Sequence, residues 1–328
     1  TSLDPHALLA HCMAVEQQFQ RERNIRWDAR TLDLDVLLYG ERIITTADLE
    51  VPHPRMHLRR FVLVPLTDIA ADVTHPALGA YQMGVVNFSR DSSYRESVVF
   101  SQEQADYRCD KLVLEGATIL DLGAESVGDF ASRVDAKRQI KTLLPTIRRL
   151  AEKGVPASIE TYYPEVAEAA LEAGAAIINL TGRDEDGEIY KLCAKHKAGL
   201  ILCYMAGRNV RDNKALPSRE ALIDAQFDFF HEQLDKATAL GVETIWVDPG
   251  LGFYNNLPDG PGRVAFQIEN ALEAFRFRTL GWPICLTLAS PVYWFREEVR
   301  VAETAYAMLC MLSKANLIRS HEVARVTP

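Results

Sequence analysis

SIETYYPEVAEAALEAGAAIINLTG, residues 158–182, decides the fold. An apolar run at 156–160 passes into an amphipathic helix at 164–174. The helix ends on Gly174, and a second apolar run follows at 176–180. Glycine there suits the left-handed cap that turns a helix into the next strand. The same helix-Gly-strand step recurs as EGATIL (115–120), LGVETI (240–245) and LGWPIC (280–285). Working outward, strands are predicted at 82–88, 118–122, 156–160, 176–180, 200–204, 244–248, 283–288 and 317–319. Helices are predicted at 102–116, 135–153, 164–174, 218–241, 263–280 and 297–314. Eight strands alternating with helices predict an α/β chain closed as a (β/α)8 TIM barrel. An open doubly wound sheet is the alternative. Few residues follow the eighth strand, so the last helix is expected to be missing or nearly so.

Residues 1–76 have another rhythm, helix then extended segments then loop, and small and turn-forming residues at 76–80 mark the joint. The expected division is 1–79 and 80–328. Of 328 residues, 36 are Lys or Arg and 45 are Asp or Glu, a net charge of −9. Such a surface argues against general nucleic-acid binding. The six cysteines, at 12, 109, 193, 203, 285 and 310, show no C-x-x-C spacing, which argues against a zinc or redox motif. Without a leader or a long apolar run, the expectation is a cytoplasmic protein with no membrane partner.

The run RTLDLD (30–35) carries the chemistry of the first region. On a strand, positions i and i+2 share a face, so Asp33 and Asp35 would project together. Two adjacent carboxylates call for a hard cation such as Mg²⁺, commonly alongside substrate phosphates. Arg21, Arg23, Arg26, Arg30, Arg55, Arg59 and Arg60 crowd the same stretch, and arginine forks suit phosphate oxygens. Together they point to nucleotide phosphoryl transfer. A solvated edge strand flanked by surface arginines is the plainer alternative.

In a barrel, chemistry gathers at the C-terminal ends of the strands. The residues there are Asn87, Asp121, Glu125, Glu160, Asn179, Asp248, Arg319, Ser320 and His321. The acidic and amide groups could hold a flat heterocycle bearing amide and amine groups. Arg319 and His321 supply a positive side for an anion. Singly, Asp248 could cap the Pro-Gly turn after it and Asn179 could bond its own loop.

RTLDLD and the turn VPH (51–53) resemble the C-terminal half of hydroxymethyl-dihydropterin pyrophosphokinase, a ferredoxin-like α+β fold of which residues 1–79 would be a part. That resemblance implies ATP as substrate, Mg²⁺ on Asp33 and Asp35, and Arg21, Arg23 and Arg30 around the phosphates. It also implies nucleotide contacts from Trp27, His53 and Arg59. From residue 81 to 321, the segments MGVVNFSRDS (83–92), GATILDLGAES (116–126), SIETYYPEVAEAALEAGAAIINLTG, VDPGLGF (247–253) and LIRSHEV (317–323) resemble dihydropteroate synthase. That enzyme joins dihydropterin pyrophosphate to p-aminobenzoate. The resemblance implies pterin contacts from Glu160, Asn179 and Asp248. It implies pyrophosphate contacts from Asn87, Arg319 and His321, with Asn87 also meeting the metal. The implied whole is a bifunctional transferase of folate biosynthesis.

Several positions depart from the resembled pattern. Val127-Gly128-Asp129-Phe130 stand where Thr-Arg-Pro-Gly is usual, and Ala289-Ser290-Pro291 where Ser-Arg-Lys is usual. Glu160 replaces an Asp. Those changes keep the pterin floor and alter what closes over the second substrate. They set beside the synthase reading a divergent barrel that binds a pterin but lacks synthase activity, or uses another acceptor, and scaffolds the kinase. The apolar helix at 302–312 reads either as the homodimer face that the resemblance implies or as packing on the barrel wall.

Overall fold

The computed structural model describes residues 3–19, 32–40, 42, 44–56, 60–70, 81–92, 94–126, 131–212, 218–253, 261–288 and 299–326. Two compact units divide the chain, Thr1–Gly79 and Ala80–Pro328.

In the first unit, Asp4 caps the helix Pro5–Gln18 by accepting from the backbone N–H groups of His6 and Ala7. A short antiparallel pair, Ile44–Thr45 with Glu50–Val51, precedes the helix Arg60–Ala70. The strand expected around the two aspartates is not formed: residues 32–38 carry no strand assignment. A strand is defined by its neighbours. Here Leu34 N–H donates to the Glu16 side chain at 2.8 Å, and Leu37 C=O accepts from His53 N–H at 2.9 Å, which makes no ladder. Asp33 and Asp35 are both exposed. Arg21, Arg23, Trp27, Arg30 and Arg59 lie outside the described residues.

The second unit is an eight-stranded parallel barrel. Its strands are β1 (Tyr81–Asn87), β2 (Ile119–Gly123), β3 (Ala157–Thr161), β4 (Ile177–Leu180), β5 (Gly199–Cys203), β6 (Ile245–Asp248), β7 (Cys285–Thr287) and β8 (Leu317–Ser320). Parallel ladders run from β6 through β5, β4, β3, β2, β1 and β8 to β7. The ring is closed by a bridge between Val247 and Ile284, with Val247 N–H donating to Pro283 C=O at 3.0 Å. Helices α1 (Gln102–Leu114), α2 (Ala136–Glu152), α3 (Pro164–Glu172), α4 (Glu188–His196), α5 (Arg219–Ala239), α6 (Pro261–Glu273), α7 (Val299–Leu312) and α8 (Val323–Val326) follow the strands in turn. The last helix is a single turn. Among the described residues, no helix is long and apolar enough to cross a membrane.

The strand period of two sorts the side chains. One set packs outward against the helices in a large apolar core containing Leu120, Leu122, Ile159, Ile178, Leu200, Leu202 and Val247. The other set faces the axis. There Met83, Ile119, Ile177, Ile201, Trp246, Cys285 and Leu317 form a separate apolar plug. Gly199 on β5 is what admits the Trp246 ring, since a Cβ there would stand 2.8 Å from it. Two residues further along the same faces the side chains become polar: Asp121, Glu160, Asn179, Asp248, Thr287 and Arg319. Alternation thus stacks a polar layer on an apolar floor at the end where barrels do chemistry.

On α7, Tyr306, Ala307 and Cys310 are buried against the barrel, while Met308 and Leu312 are 64% and 69% exposed.

Candidate functional site

Asp121 is the hub of the polar layer and is fully buried. Its Oδ1 accepts from Ser158 Oγ at 2.6 Å and its Oδ2 from Arg319 Nε at 2.7 Å, while Asn179 Nδ2 donates to the same carboxylate at 3.3 Å. Arg319 reaches on with Nη2 to Glu160 Oε2 at 2.6 Å. The guanidinium is therefore a fork between two carboxylates, a pairing its planar geometry favours. Burial alone would lower the Arg319 pKa, but Asp121 and Glu160 outweigh it and raise it. Asn179 Oδ1 accepts from Cys203 Sγ at 3.3 Å, which fixes which way the amide faces.

Across the layer, Asp248 Oδ1 accepts from Gly250 N–H at 2.7 Å and Oδ2 from Thr287 Oγ1 at 3.1 Å. The turn that delivers the Gly250 N–H needs glycine. Its φ is +75°, and a Cβ would stand 2.5 Å from the Tyr204 carbonyl. Burial raises the Asp248 carboxyl to about 6, against the pull of the Gly250 and Thr287 hydrogen bonds. Burial likewise raises Glu160, to about 7, with Arg319 opposing. A ligand that donates hydrogen bonds to either carboxyl would favour its charged form.

Gly123 adds no side chain between Glu160 and Asn87. A Cβ there would meet Glu160 Oε2 at 3.5 Å and Asn87 Oδ1 at 3.7 Å. Asn87 Nδ2 donates to Ser97 Oγ at 2.8 Å and Ser92 Oγ at 3.2 Å, leaving Oδ1 toward Gly123. Asn87 and His321 belong to the rim rather than to the Asp121–Arg319 cluster. His321 stacks on Tyr94 with ring centroids 4.4 Å apart.

A second cluster ties down the loop after β2. Glu125 accepts from Tyr162 Oη at 3.1 Å, Gln139 Nε2 at 3.1 Å and Val134 N–H at 3.3 Å. Arg211, from the loop after β5, lies 3.5 Å from the same carboxylate and donates to the Ser126 and Ala131 carbonyls. These carbonyls flank positions 127–130, which lie outside the described residues, as do 289–291.

The family of pterin binding enzymes matches residues 83–319. The chain belongs to the pterin binding enzyme family. A dihydropteroate synthase from Synechocystis is 35% identical over 260 residues, 72% of this chain and 89% of its own. A folate synthesis bifunctional protein from Arabidopsis thaliana is 28% identical, covering 98% of this chain and 81% of its own. A Thermus thermophilus dihydropteroate synthase solved with 4-aminobenzoate superposes with a TM-score of 0.63 at 25% identity, covering 75% of this chain and 90% of that one. The 7,8-dihydro-6-hydroxymethylpterin-pyrophosphokinase family matches residues 1–71. That match places a pyrophosphokinase segment at the N-terminal end of this chain; it corrects the expectation of a C-terminal half. The chain spans 43% and 40% of the lengths of the folic acid synthesis proteins of Schizosaccharomyces pombe and Pneumocystis carinii.

Seen as a pterin binding enzyme, the chain places Glu160, Asn179, Asp248 and Arg319 in one layer, as the strand ends predicted. It places Asp35 beside His53 in the first unit, with Oδ2 3.7 Å from Nε2. Asp121 stands at its strand end in the sequence, but its place as the hub of the layer follows only from the packing. The available signal was one charge inside the apolar run TILDLG. Glu303, taken up below, left no comparable mark.

Proposed function

We propose that the barrel condenses dihydropterin pyrophosphate with p-aminobenzoate. The observation that carries this reading is the polar layer itself. The buried Asp248 carboxyl, the partly buried Glu160 carboxyl and the oriented Asn179 amide line the barrel mouth above an apolar floor. A pterin ring offers them a row of N–H donors and a flat apolar face. Carboxylate partners bind such donors more strongly than neutral ones.

In the condensation, the bond from the pterin methylene to the pyrophosphate oxygen breaks. The arylamine nitrogen bonds to the methylene carbon and loses a proton. Glu160, Asn179 and Asp248 would grip the ring and hold the methylene toward the rim. Arg319 gives Nε and Nη2 to carboxylates, so its phosphate contact falls to Nη1. His321 supplies the other cation. An amide oxygen fits a hard cation, so Asn87 Oδ1 would hold the Mg²⁺ that neutralises pyrophosphate oxygens when bound. Charge developing on the leaving group is where such fixed donors act.

For residues 1–79 we propose pyrophosphoryl transfer from ATP to 6-hydroxymethyl-dihydropterin. The carboxylates of Asp33 and Asp35 fit Mg²⁺ as hard oxygen donors. Arg21, Arg23 and Arg30 would meet the phosphates, and Trp27, His53 and Arg59 the nucleotide. The proximity of His53 to Asp35 supports one neighbourhood for metal and nucleotide. Asp35→Ala is expected to abolish AMP release at unchanged melting temperature. AMP at the normal rate would remove the metal assignment.

The barrel is tested by supplying synthetic dihydropterin pyrophosphate and p-aminobenzoate and measuring dihydropteroate. Product that disappears in Asp248→Ala supports the synthase. Tight pterin binding without product supports the second reading, a binding barrel or one with another acceptor, which Pro291 favours because it stands where a lysine is usual.

A further inference from the structure

His321 is held on every side. Its Nδ1 lies 3.0 Å from Glu303 Oε1, and its backbone N–H donates to Glu303 Oε2 at 3.2 Å. Its carbonyl accepts from Arg108 Nη2 at 3.1 Å. Tyr94 covers one ring face, with its own hydroxyl donating to Glu322. Among the described residues Nε2 is the ring atom left for a ligand.

Glu303 comes from α7, is fully buried, and takes nothing but donors. Besides His321 it accepts from Ser320 Oγ at 2.6 Å and Glu322 N–H at 3.1 Å. A buried carboxylate is costly unless paired and hydrogen-bonded, and this one is both.

We propose that Glu303 is a positioning residue that keeps His321 protonated at Nδ1, so that Nε2 presents a fixed, positively charged donor to the pyrophosphate leaving group. This rests on the synthase reading of the barrel and adds a residue to it. Burial alone would raise the Glu303 carboxyl; hydrogen bonding and charge from His321, with Ser320 and the Glu322 N–H, hold it below its usual value. The neighbours fit. Burial pushes the Tyr94 hydroxyl upward, so that ring stays neutral. Arg108 from α1 is the opposing cation, and its charge is shared with the Val85 and Glu96 carbonyls. Glu322 is turned to Tyr94 and to Arg325, 3.6 Å away. Among the described residues Glu303 is the carboxylate that meets the imidazole ring itself.

The test is Glu303→Gln in the full chain. Gln keeps an oxygen for Ser320 and the two N–H groups but removes the charge and offers Nδ1 an N–H instead. Imidazole ¹⁵N resonances are expected to report loss of the Nδ1 proton of His321, because the Gln N–H then faces that atom. Calorimetry with inorganic pyrophosphate is expected to show roughly tenfold weaker binding at the pH where the wild-type ring is charged and the variant ring is not, and no difference at high pH. The alkaline limb of dihydropteroate formation moves to lower pH. An unaltered His321 ¹⁵N spectrum or an unchanged pH profile overturns the role of Glu303. Should Glu303→Gln not fold, His321→Gln must lose the same pH dependence of pyrophosphate binding, and retention of it overturns the proposal. Wild-type protein that fails to bind pyrophosphate, with the His321 ¹⁵N spectrum still altered by Glu303→Gln, overturns the synthase site and this ligand together.

Discussion

Asp248 is set against itself. Burial disfavours the charge and pushes its carboxyl up to about 6, from the 3.8 of an ordinary aspartate. Between those two values the native state binds more protons than the unfolded chain. Stability therefore falls as pH rises from about 4 to 6 and is level above that. Asp248→Asn should erase that slope and raise stability at pH 8, by at most about 3 kcal/mol at 1.36 kcal/mol per unit. Urea midpoints at pH 5 and pH 8 measure it, and parallel behaviour of variant and wild type would refute it. The same variant should bind a reduced pterin ten- to a hundredfold more weakly, since a charged hydrogen bond contributes about 1.5–3 kcal/mol. Residues such as Asp248 and Glu160 were legible because a charge inside an apolar strand is conspicuous. Glu303 was not: a glutamate in the helical run RVAETAY reads as solvent-facing, and only tertiary packing brings Ser320 and His321 to it.

At the scale of elements, the Gly-terminated helices were legible for a local reason. Gly116, Gly174, Gly241 and Gly281 all hold positive φ, as the cap reading requires. Helix α7 ends differently, with Lys314 at φ +60°. A side chain pays roughly 1 kcal/mol in that region. Lys314→Gly should therefore raise the melting temperature by about 2–4 °C, followed by calorimetry. The strand predicted over the two aspartates failed because a strand depends on partners that local pattern cannot specify. The loop after β2 is another case of remote support, since Arg211 reaches it from the loop after β5. Arg211→Ala leaves the Glu125 carboxylate, 7% exposed, without its cation. Hydrogen exchange at residues 131–134 should quicken at least tenfold in that variant, with strands β2 and β5 unaltered. Unchanged exchange there would show that Tyr162 and Gln139 suffice.

For the whole molecule, the second unit contains its own closed barrel, apolar plug and polar layer. Residues 80–328 alone should unfold cooperatively and bind a reduced pterin within about threefold of the full chain. A non-cooperative melt would show that the boundary at Gly79 is misplaced. The eight-fold alternation was readable from sequence because each unit is local; the order of strands around the ring then follows from right-handed crossovers. What no local pattern announces is how unevenly the ring is fastened. Most neighbouring strands share continuous ladders, but β6 and β7 meet at the Val247–Ile284 bridge. A cylinder fastened this way is expected to open first at its seam, and amide exchange at Val247 should be faster than in the laddered strands. Thr287 Oγ1 donating to Asp248 Oδ2 crosses that same seam. Whatever grips Asp248 from the mouth thereby acts as a latch on the ring, and an occupied pocket slows exchange of the Val247 amide below it.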